Sequence, residues 1–303
     1  MNYEEQMKDA DRFMALTSLG IDEFNKLLSV FDVKCQKYFR YRTITGGHRA
    51  HPSSNEHGNT KLKGSGQKLF FILLYLKTNS LQELMGAMFG LSQASVGLII
   101  KVLLDLLNDS LRQMGLQPYR DGTLLKKALE DHEEKVFLLD GTERIIQRNI
   151  CEVAQEEEYS GKKHGHRIKN NVLSDNSLYI HYLSPTTIGK EHDKKHLDEF
   201  PVLLPKGSVL KVDLGYLGLE IEDCLVEIPF KKPKGGILSF GEAIYNKIYN
   251  STRVLIEHVN SGIKRLRIVK DVIRIRSSEM RDQIMLAACS LHNLRLNRQT
   301  AWS

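Results

Sequence analysis

The sequence is poor in cysteine, and its cysteines form no motif. The four are Cys35, Cys151, Cys224 and Cys289, and no two of them make a CxxC pair. This spacing argues against both a disulfide framework and a zinc knuckle. Reduced, partly buried thiols are usual in the cytosol, so we expect a cytoplasmic protein.

Long apolar runs are also absent. The longest, Leu69 to Leu76 (LFFILLYL), has eight residues, whereas a membrane span needs about 20. The first residues, MNYEEQMKDADRF, are polar and acidic and lack the apolar core of a signal peptide. There is no internal repeat or low-complexity tract, so we expect a globular protein with no membrane partner.

The excess of positive charge is small. Lys and Arg number 43 against 37 Asp and Glu, which gives a net charge of +6 among 303 residues. This balance is compatible with a polyanionic partner, but many basic proteins bind no nucleic acid. Hydrophobic residues make up 41%, which is enough for a sizeable core, and the length predicts about two domains.

Helical periodicity covers most of the first 116 residues. It predicts helices from residue 1 to about residue 40, followed by a glycine-rich linker up to Gly66. The next predicted helices are Gln67–Thr78, Leu81–Phe89 and Gln93–Leu107. Because a tight connection containing Gly90 joins the last two, this segment has the helix-turn-helix pattern.

A helix-turn-helix presents the start of its second helix to base edges in DNA. The residues available there are Ser92, Gln93, Ser95 and Lys101. Such folds also serve as dimerisation or packing modules, and the sequence leaves both interpretations open.

After Leu129 short apolar runs alternate with helices, which indicates an α/β or α+β domain. Two predicted strands, VFLLD and SVLKVD, end in Asp140 and Asp213. We expect both acids at the carboxyl edge of a sheet, where open α/β sheets place their sites. A third acid, Glu257, borders the apolar stripe of a predicted helix from Phe240 to about Ser261. The apolar positions of this helix are Val254, Ile256, Val259 and Ile263, and we expect them to pack on the sheet.

Three carboxylates from separate elements can hold two divalent ions, and Mg²⁺ prefers such oxygen ligands. The site would then suit phosphodiester chemistry, in which charge on the transferring phosphate must be offset. Each acid also has an ordinary alternative. An aspartate after a strand often caps a turn, and a glutamate on an amphipathic helix often lies on its solvated face.

Two basic clusters are candidates for phosphate contacts. The first is GKKHGHR, which contains Lys162, Lys163 and His166; the second is the run that contains Lys264, Arg265 and Arg267. For both clusters, an exposed basic surface without a ligand is the alternative.

Histidine pairs give no zinc motif. His164 and His166 have no nearby acid, and His192 and His196, four residues apart, lack cysteine or HExxH partners. We expect no metal at either pair.

Six segments, in order, resemble the DDE transposases of bacterial insertion sequences, in the group related to eukaryotic Harbinger-like transposases. The resemblance covers about residues 20 to 300. The segments are the helix-turn-helix at Leu69–Leu107, LLDGTE at Asp140, YSGKKHGH at Tyr159–His166, IGKEHD at Ile188–Asp193, VDLGYLG at Asp213, and the R(3)E(6)K spacing of Arg253, Glu257 and Lys264.

The chain departs from the family pattern at two places. The family usually has a tyrosine three residues before the arginine, where this chain has Asn250, with Tyr249 adjacent. Members often have a proline where this chain has Asn149. Both departures put surrounding details in doubt and leave the three acids in place.

The resemblance implies an α/β fold with a ribonuclease-H-like mixed sheet flanked by helices, preceded by an all-α helix-turn-helix domain. The expected divisions are an N-terminal helical segment and linker at 1–66, the helix-turn-helix domain at 67–129 and the catalytic domain at 130–303.

The resemblance also implies an endonuclease and DNA strand transferase that acts at transposon ends. Asp140, Asp213 and Glu257 would be its catalytic acids and the ligands of two Mg²⁺ ions, with Mn²⁺ able to substitute. Arg253 and Lys264 would hold phosphates or orient the glutamate; a salt-bridged helix surface is the alternative.

By the same resemblance, His192 and Asp193 would position a loop at the active site. The implied partner is double-stranded DNA, at transposon ends and target, bound by a homodimer or higher oligomer. The implied location is the bacterial cytoplasm, with nucleoid association on DNA. Two other functions stay open: a helix-turn-helix protein that has lost catalysis, and a host nuclease that hydrolyses but never joins strands.

Overall fold

A computed structural model describes residues 1–53, 56, 60–161, 163–190 and 193–296. They divide into two compact units. The helical unit comprises Met1–Gln117, Lys264–Asp271 and Ile275–Ser303, and the sheet unit comprises Pro118–Ile263 and Val272–Arg274. The chain therefore passes from the helical unit to the sheet unit and back twice, the second time through Val272–Arg274 alone.

The helices of the described residues have the following bounds. They are α1 (Tyr3–Met7), α2 (Ala10–Thr17), α3 (Ile21–Tyr41), α4 (Gly64–Thr78), α5 (Gln82–Phe89), α6 (Gln93–Gln113), α7 (Gly122–Ala128), α8 (Glu152–Glu158), α9 (Asp193–Glu199), α10 (Phe240–Ile263), α11 (Arg267–Lys270) and α12 (Ser278–Leu296).

The strands of the described residues form a single mixed sheet. They are β1 (Val136–Ile145), β2 (Tyr159–Ser160), β3 (Gly165–Asp175), β4 (Ile180–Leu183), β5 (Thr187–Ile188), β6 (Val209–Lys211) and β7 (Leu225–Glu227). With helices around this sheet and an all-α region before it, the structure confirms the predicted fold class, an α/β, ribonuclease-H-like sheet preceded by a helix-turn-helix.

In the helical unit, α4 is buried along almost its whole length, which explains its unbroken apolar run. The helices α5 and α6 follow it and are bent by 95° at their connection, an angle typical of a helix-turn-helix. Gly90 ends α5 in the left-handed region, with φ +67°, where glycine has no steric penalty. The amide of Leu91 donates to the carbonyl of Gly86 at 2.9 Å, which closes the turn.

Among the described residues, no single helix has both the length and the apolar character to cross a membrane. Together α5 and α6 meet those criteria by length and composition only, across their bend.

In the sheet unit, β1 is flanked by β3 and β6. It pairs antiparallel with β3 from Phe137↔Asp175 to Ile145↔Arg167. It pairs parallel with β6 only from Val136↔Val209 to Leu138↔Lys211. Beyond β6 lies the parallel strand β7, and β3 also pairs with β2, β4 and β5. The parallel part of the sheet therefore ends just before Asp140.

Strand alternation gives the two faces of this sheet different contacts. Phe137 and Leu139 on β1, and Leu210 and Val212 at β6, point into a buried core that also receives residues from α7 and α9. Asp140 and the intervening residues point to the other face, which α10 covers.

The strand that contains Asp140 is longer than predicted. We expected it to end at the aspartate, but β1 continues to Ile145. Pairing with β3 keeps the chain extended after pairing with β6 has stopped. Asp140 therefore lies within a strand, at the point where one neighbour has ended.

Candidate active site

Asp140 and Asp213 lie side by side on the face of the sheet that α10 covers. The last parallel pair is Leu138↔Lys211, so continuing this register by two residues places Asp140 opposite Asp213. Neighbouring strands are about 4.8 Å apart. Burial, and then the negative charge of Asp213, raises the pKa of Asp140 to about 6. The two carboxylates therefore share one electrostatic environment.

Asp213 is fixed by the turn that follows β6. Its Oδ1 accepts a hydrogen bond from the amide of Gly215 at 2.7 Å, so that it caps a short 3-10 helix at Leu214–Tyr216. Tyr216 is fully buried, and its hydroxyl donates to Oδ1 of Asn171 on β3 at 2.9 Å. These contacts explain the D-x-G-Y pattern as a turn anchored to the sheet.

Two side chains of α10 reach these aspartates. Asn260 donates through Nδ2 to Oδ2 of Asp140 at 2.8 Å. Arg253 places Nη2 at 4.0 Å from Oδ2 of Asp213. Arg253 partly offsets the local negative charge, Asn260 stabilises the carboxylate by a hydrogen bond, and both oppose the rise in the pKa of Asp140.

Glu257 lies on the same stretch of helix. It is four residues after Arg253 and three before Asn260, a spacing that places side chains on one helical face. Glu257 itself is exposed. The helix α10 therefore contacts Asp213 through Arg253, one turn before Glu257, and Asp140 through Asn260, one turn after it.

The sequence reasoning missed Asn260 and did not foresee the contacts of Tyr249. Tyr249 is buried, and its hydroxyl lies 2.6 Å from the carbonyl oxygen of Val212 and 2.8 Å from that of Glu227. It therefore fixes the chain next to Asp213. The signal for Asn260 was its spacing of seven residues after Arg253, which keeps it on the same face.

The expectation that Val254 belongs to the apolar stripe of α10 was wrong. Val254 is 44% exposed, whereas Ile256, Val259 and Ile263 are buried with Tyr249. A residue one position after Arg253 points away from the sheet because successive helical side chains are about 100° apart.

A cation suits this site. Asp140 and Asp213 offer only oxygen ligands, and their mutual repulsion signals unneutralised charge. In addition, Oδ1 of Asn260 is buried and accepts no hydrogen bond from the described residues. Hard divalent ions prefer such carboxylate and amide oxygens.

The residues predicted to face DNA on α6 differ in their surroundings. Gln93 and Lys101 are exposed. Ser92 caps the helix: its Oγ accepts from the amide of Ser95 at 3.3 Å and lies 2.9 Å from the hydroxyl of Ser95. Changing Ser92 or Ser95 would therefore alter the helix start as well as any contact there.

The first basic cluster lies next to the start of β3. Lys163 is exposed, and His166 packs edge-on against the ring of Tyr159, 5.5 Å between centroids. His166 also lines a cleft of about 580 Å³ together with Arg148 and Lys190. Lys162 and His192 lie outside the described residues, and the side chain of Asp193, at the start of α9, is likewise not described.

The second basic cluster belongs to the helical unit. Lys264, Arg265 and Arg267 follow α10 in a stretch that groups with the N-terminal helices. Arg267 pairs with Asp271 at 2.8 Å, while Arg265 is exposed. His196, by contrast, is fully buried and packs against Phe200, a structural role.

Comparison with known families agrees with the positions of these elements. A sequence model described as "DDE superfamily endonuclease" matches residues 139–293, about half of the chain. Another, described as "Helix-turn-helix of DDE superfamily endonuclease", matches residues 60–113. The chain belongs to the DDE superfamily endonucleases. The first match spans Asp140, Asp213 and Glu257, and the second spans α4, α5 and α6.

A relative of this DDE superfamily endonuclease is the "Probable transposase for insertion sequence element IS702" of Microchaete diplosiphon. The two are 31% identical over 150 residues, which are 48% of this chain and 51% of the relative. The chain thus matches about half the length of that curated relative. No solved structure matches the chain significantly.

Proposed function

We propose that the protein is a DNA transposase. It cleaves phosphodiester bonds at transposon ends and transfers the resulting 3′-hydroxyl ends into target DNA. The observation that carries this proposal is that Asp140 and Asp213 lie side by side on the face of the sheet covered by α10, the helix that contains Glu257. Membership of the DDE superfamily and the likeness to a probable transposase support it.

In this proposal Asp140, Asp213 and Glu257 are the catalytic acids and hold two Mg²⁺ ions, with Mn²⁺ able to substitute. When bound, a metal pair activates the attacking water or hydroxyl and stabilises the leaving oxygen. Asn260 holds the carboxylate of Asp140 through its hydrogen bond. Arg253, beside Asp213, would donate hydrogen bonds to a phosphate of the bound strand.

DNA binding falls mainly to the helical unit in this proposal. Gln93 and Lys101 on α6 read or hold the duplex, and the cations Lys264, Arg265 and Arg267 contact phosphates. On the sheet unit, Lys163 and His166 add phosphate contacts near the start of β3. A transposable DNA segment has two ends. We therefore propose that a homodimer or larger assembly of the protein binds both ends.

A plasmid assay tests this function. The substrate carries the DNA that flanks the coding sequence, searched first for inverted repeats, and nicked and joined products are measured with Mg²⁺ and with Mn²⁺. We expect Asp140→Asn, Asp213→Asn and Glu257→Gln each to lower cleavage by roughly 100- to 1000-fold. The matched control is Glu222→Gln, which removes an exposed acid and should cleave as the wild type does.

Two outcomes would overturn the proposal in different ways. Specific binding of the repeats without cleavage in either metal would favour a DNA-binding protein that has lost catalysis. Cleavage without joined products would favour a nuclease that only hydrolyses.

A further inference from the structure

His132, Asp175 and His181 form a compact cluster in the sheet unit. His132 precedes β1, Asp175 ends β3 and His181 lies on β4. Asp175 pairs with Phe137, three residues before Asp140 on β1, so the cluster lies about 10 Å along the strand from that aspartate. It is separate from the site proposed for catalysis.

The three side chains bring ligand atoms close together. Nε2 of His181 is 2.7 Å from Oδ2 of Asp175, and Nε2 of His132 is 4.0 Å from the same oxygen. One ligand atom from each residue lies within 4.8 Å of the others. Ligands around a tetrahedral Zn²⁺ are about 3.3 Å apart for bonds near 2.0 Å, so small side-chain movements would suffice.

The tautomer of His132 is set by a backbone contact. Its Nδ1 lies 3.2 Å from the carbonyl oxygen of Glu134, which can only accept, so Nδ1 carries the proton in a neutral ring. The lone pair of Nε2 is then on the side of Asp175. Metal-binding histidines are commonly oriented by such a hydrogen bond to a carbonyl.

Hydrogen bonds to one carboxylate oxygen orient the side chain of Asp175. Its Oδ1 accepts from the hydroxyl of Ser177 at 2.6 Å and from the amide of Tyr179 at 3.0 Å. Oδ2 faces both imidazoles.

We propose that His132, Asp175 and His181 bind one divalent transition-metal ion of the zinc class, with water completing the coordination. Two imidazoles favour Zn²⁺, Co²⁺ or Ni²⁺ over Mg²⁺, which prefers oxygen. To bind an ion through Nε2, neutral His181 would need its proton on Nδ1, a tautomer that proton exchange with water supplies. The side chain of His132 is 33% exposed, which gives the ion a path from solvent.

The ion would join the loop before β1 to the β3–β4 hairpin. A metal that binds the folded state alone stabilises that state. This role does not depend on the proposed transposase activity, since it concerns a different part of the sheet and a different ligand chemistry.

Zinc binding to the full chain tests the proposal. The chain is first stripped with a chelator, and Zn²⁺ is then titrated calorimetrically in excess Mg²⁺; Co²⁺ spectra report on coordination. We expect one high-affinity equivalent, a higher melting temperature with Zn²⁺, and at least a 10-fold loss of affinity in His132→Ala. His51→Ala, which removes an exposed histidine of the helical unit, should bind as the wild type does.

A second comparison locates the ion. Asp140→Asn combined with Asp213→Asn should keep the high-affinity Zn²⁺ equivalent, whereas His181→Gln should lose it. Circular dichroism shows whether each variant is folded, and His132→Gln replaces any that is not. Absence of a stoichiometric equivalent in the wild type, unchanged affinity in a folded His132 variant, or displacement by Mg²⁺ would overturn the proposal.

Discussion

The pKa of Asp140 is subject to opposing influences. Burial and the charge of Asp213 raise its pKa, while Arg253, Asn260 and the amide of Gly141 lower it. The net pKa of about 6 means that the folded state holds the proton of Asp140 more tightly than the unfolded chain does. Ionised Asp140 therefore opposes folding unless a cation is present.

This predicts a pH dependence of stability. Because the folded pKa of Asp140 is raised, its contribution is fully present below about pH 3.8 and is lost as the pH rises through about 6. Without divalent ions, Asp140→Asn should therefore be more stable than the wild type at about pH 7.5, by about 1–3 kcal/mol. Urea unfolding at about pH 5 and pH 7.5 measures the difference. An advantage that does not grow with pH would contradict it.

Asn260 is predicted to be a positioning residue for Asp140. Removing its hydrogen bond in Asn260→Ala should raise the pKa of Asp140 further, since that bond lowers it. We expect cleavage to fall about 10- to 100-fold with the KM for DNA unchanged. The ascending limb of the pH–rate profile should move to higher pH.

The neighbouring exposed residue provides the control for Asn260. Ser261→Ala should leave both rate and profile unchanged. A uniform loss of rate at every pH in Asn260→Ala would indicate a merely structural role.

The sequence predicted the positions of some residues of the candidate site and not of others. Asp140 and Asp213 were predictable because each follows apolar residues that alternate into the core. Asn260 was not, because its spacing after Arg253 indicates only a shared helical face, and the carboxylate that it contacts lies 120 positions away. The buried contacts of Tyr249 likewise depend on two strands that meet only in the folded chain.

The connection between α5 and α6 depends on a glycine that the pattern did not single out. A Cβ at Gly86 would lie 2.5 Å from the carbonyl oxygen of Leu91, which is closer than atoms can pack. Gly86→Ala should therefore destabilise the helical unit by about 1–3 kcal/mol and weaken DNA binding with it. Thermal unfolding and a DNA mobility shift measure the two effects.

Gly97 on α6 offers a matched substitution. A Cβ there would meet only the end of the Gln82 side chain, at 3.3 Å, which can move. Gly97→Ala should be neutral, or stabilise by up to about 1 kcal/mol through helix propensity. Equal losses at both glycines would contradict the steric explanation.

The long helices were predicted well, whereas several of the short ones were not. The periodicity indicated α4, α5, α6 and α10 because each has at least two turns. It gave no sign of α7, α8 or α11, which are too short to show a hydrophobic period. Their formation depends on caps and packing, as where Asp121 caps α7.

For the whole molecule, the distribution of charge predicts how DNA binding depends on salt. In the helical unit, Lys77 donates to the carbonyl of Arg265 at 3.0 Å. Burial and the nearby charges of Arg265, Arg295 and Arg267 lower the pKa of Lys77. Such crowding of cations favours release of counterions by a polyanion.

Arg265→Ala should weaken binding about equally for all DNA sequences. It should also lower the slope of log affinity against log salt by about 1. Lys8→Ala removes an exposed cation beside α1 and should leave the slope unchanged. A sequence-dependent loss in Arg265→Ala would show a base contact instead.

The helical unit also includes the C-terminal helix α12. α12 packs on α6, and Asn108 donates to the carbonyl of Gln283 at 3.1 Å. Asn293 donates to the carbonyl of Leu116 at 3.0 Å. Sequence periodicity cannot predict these contacts. Only the folded chain shows that most residues after Ile263 pack with the N-terminal helices.

DNA binding should therefore be sensitive to a residue far from the helix-turn-helix in sequence. Leu291 is buried in α12, and Leu291→Ala should lower the free energy of unfolding of the helical unit by about 2–4 kcal/mol. The temperature at which DNA binding is lost should fall with it. Val33→Ala, at an exposed position of α3, should change stability by less than about 0.5 kcal/mol. If Leu291→Ala unfolded and bound DNA as the wild type does, α12 would not support the helix-turn-helix.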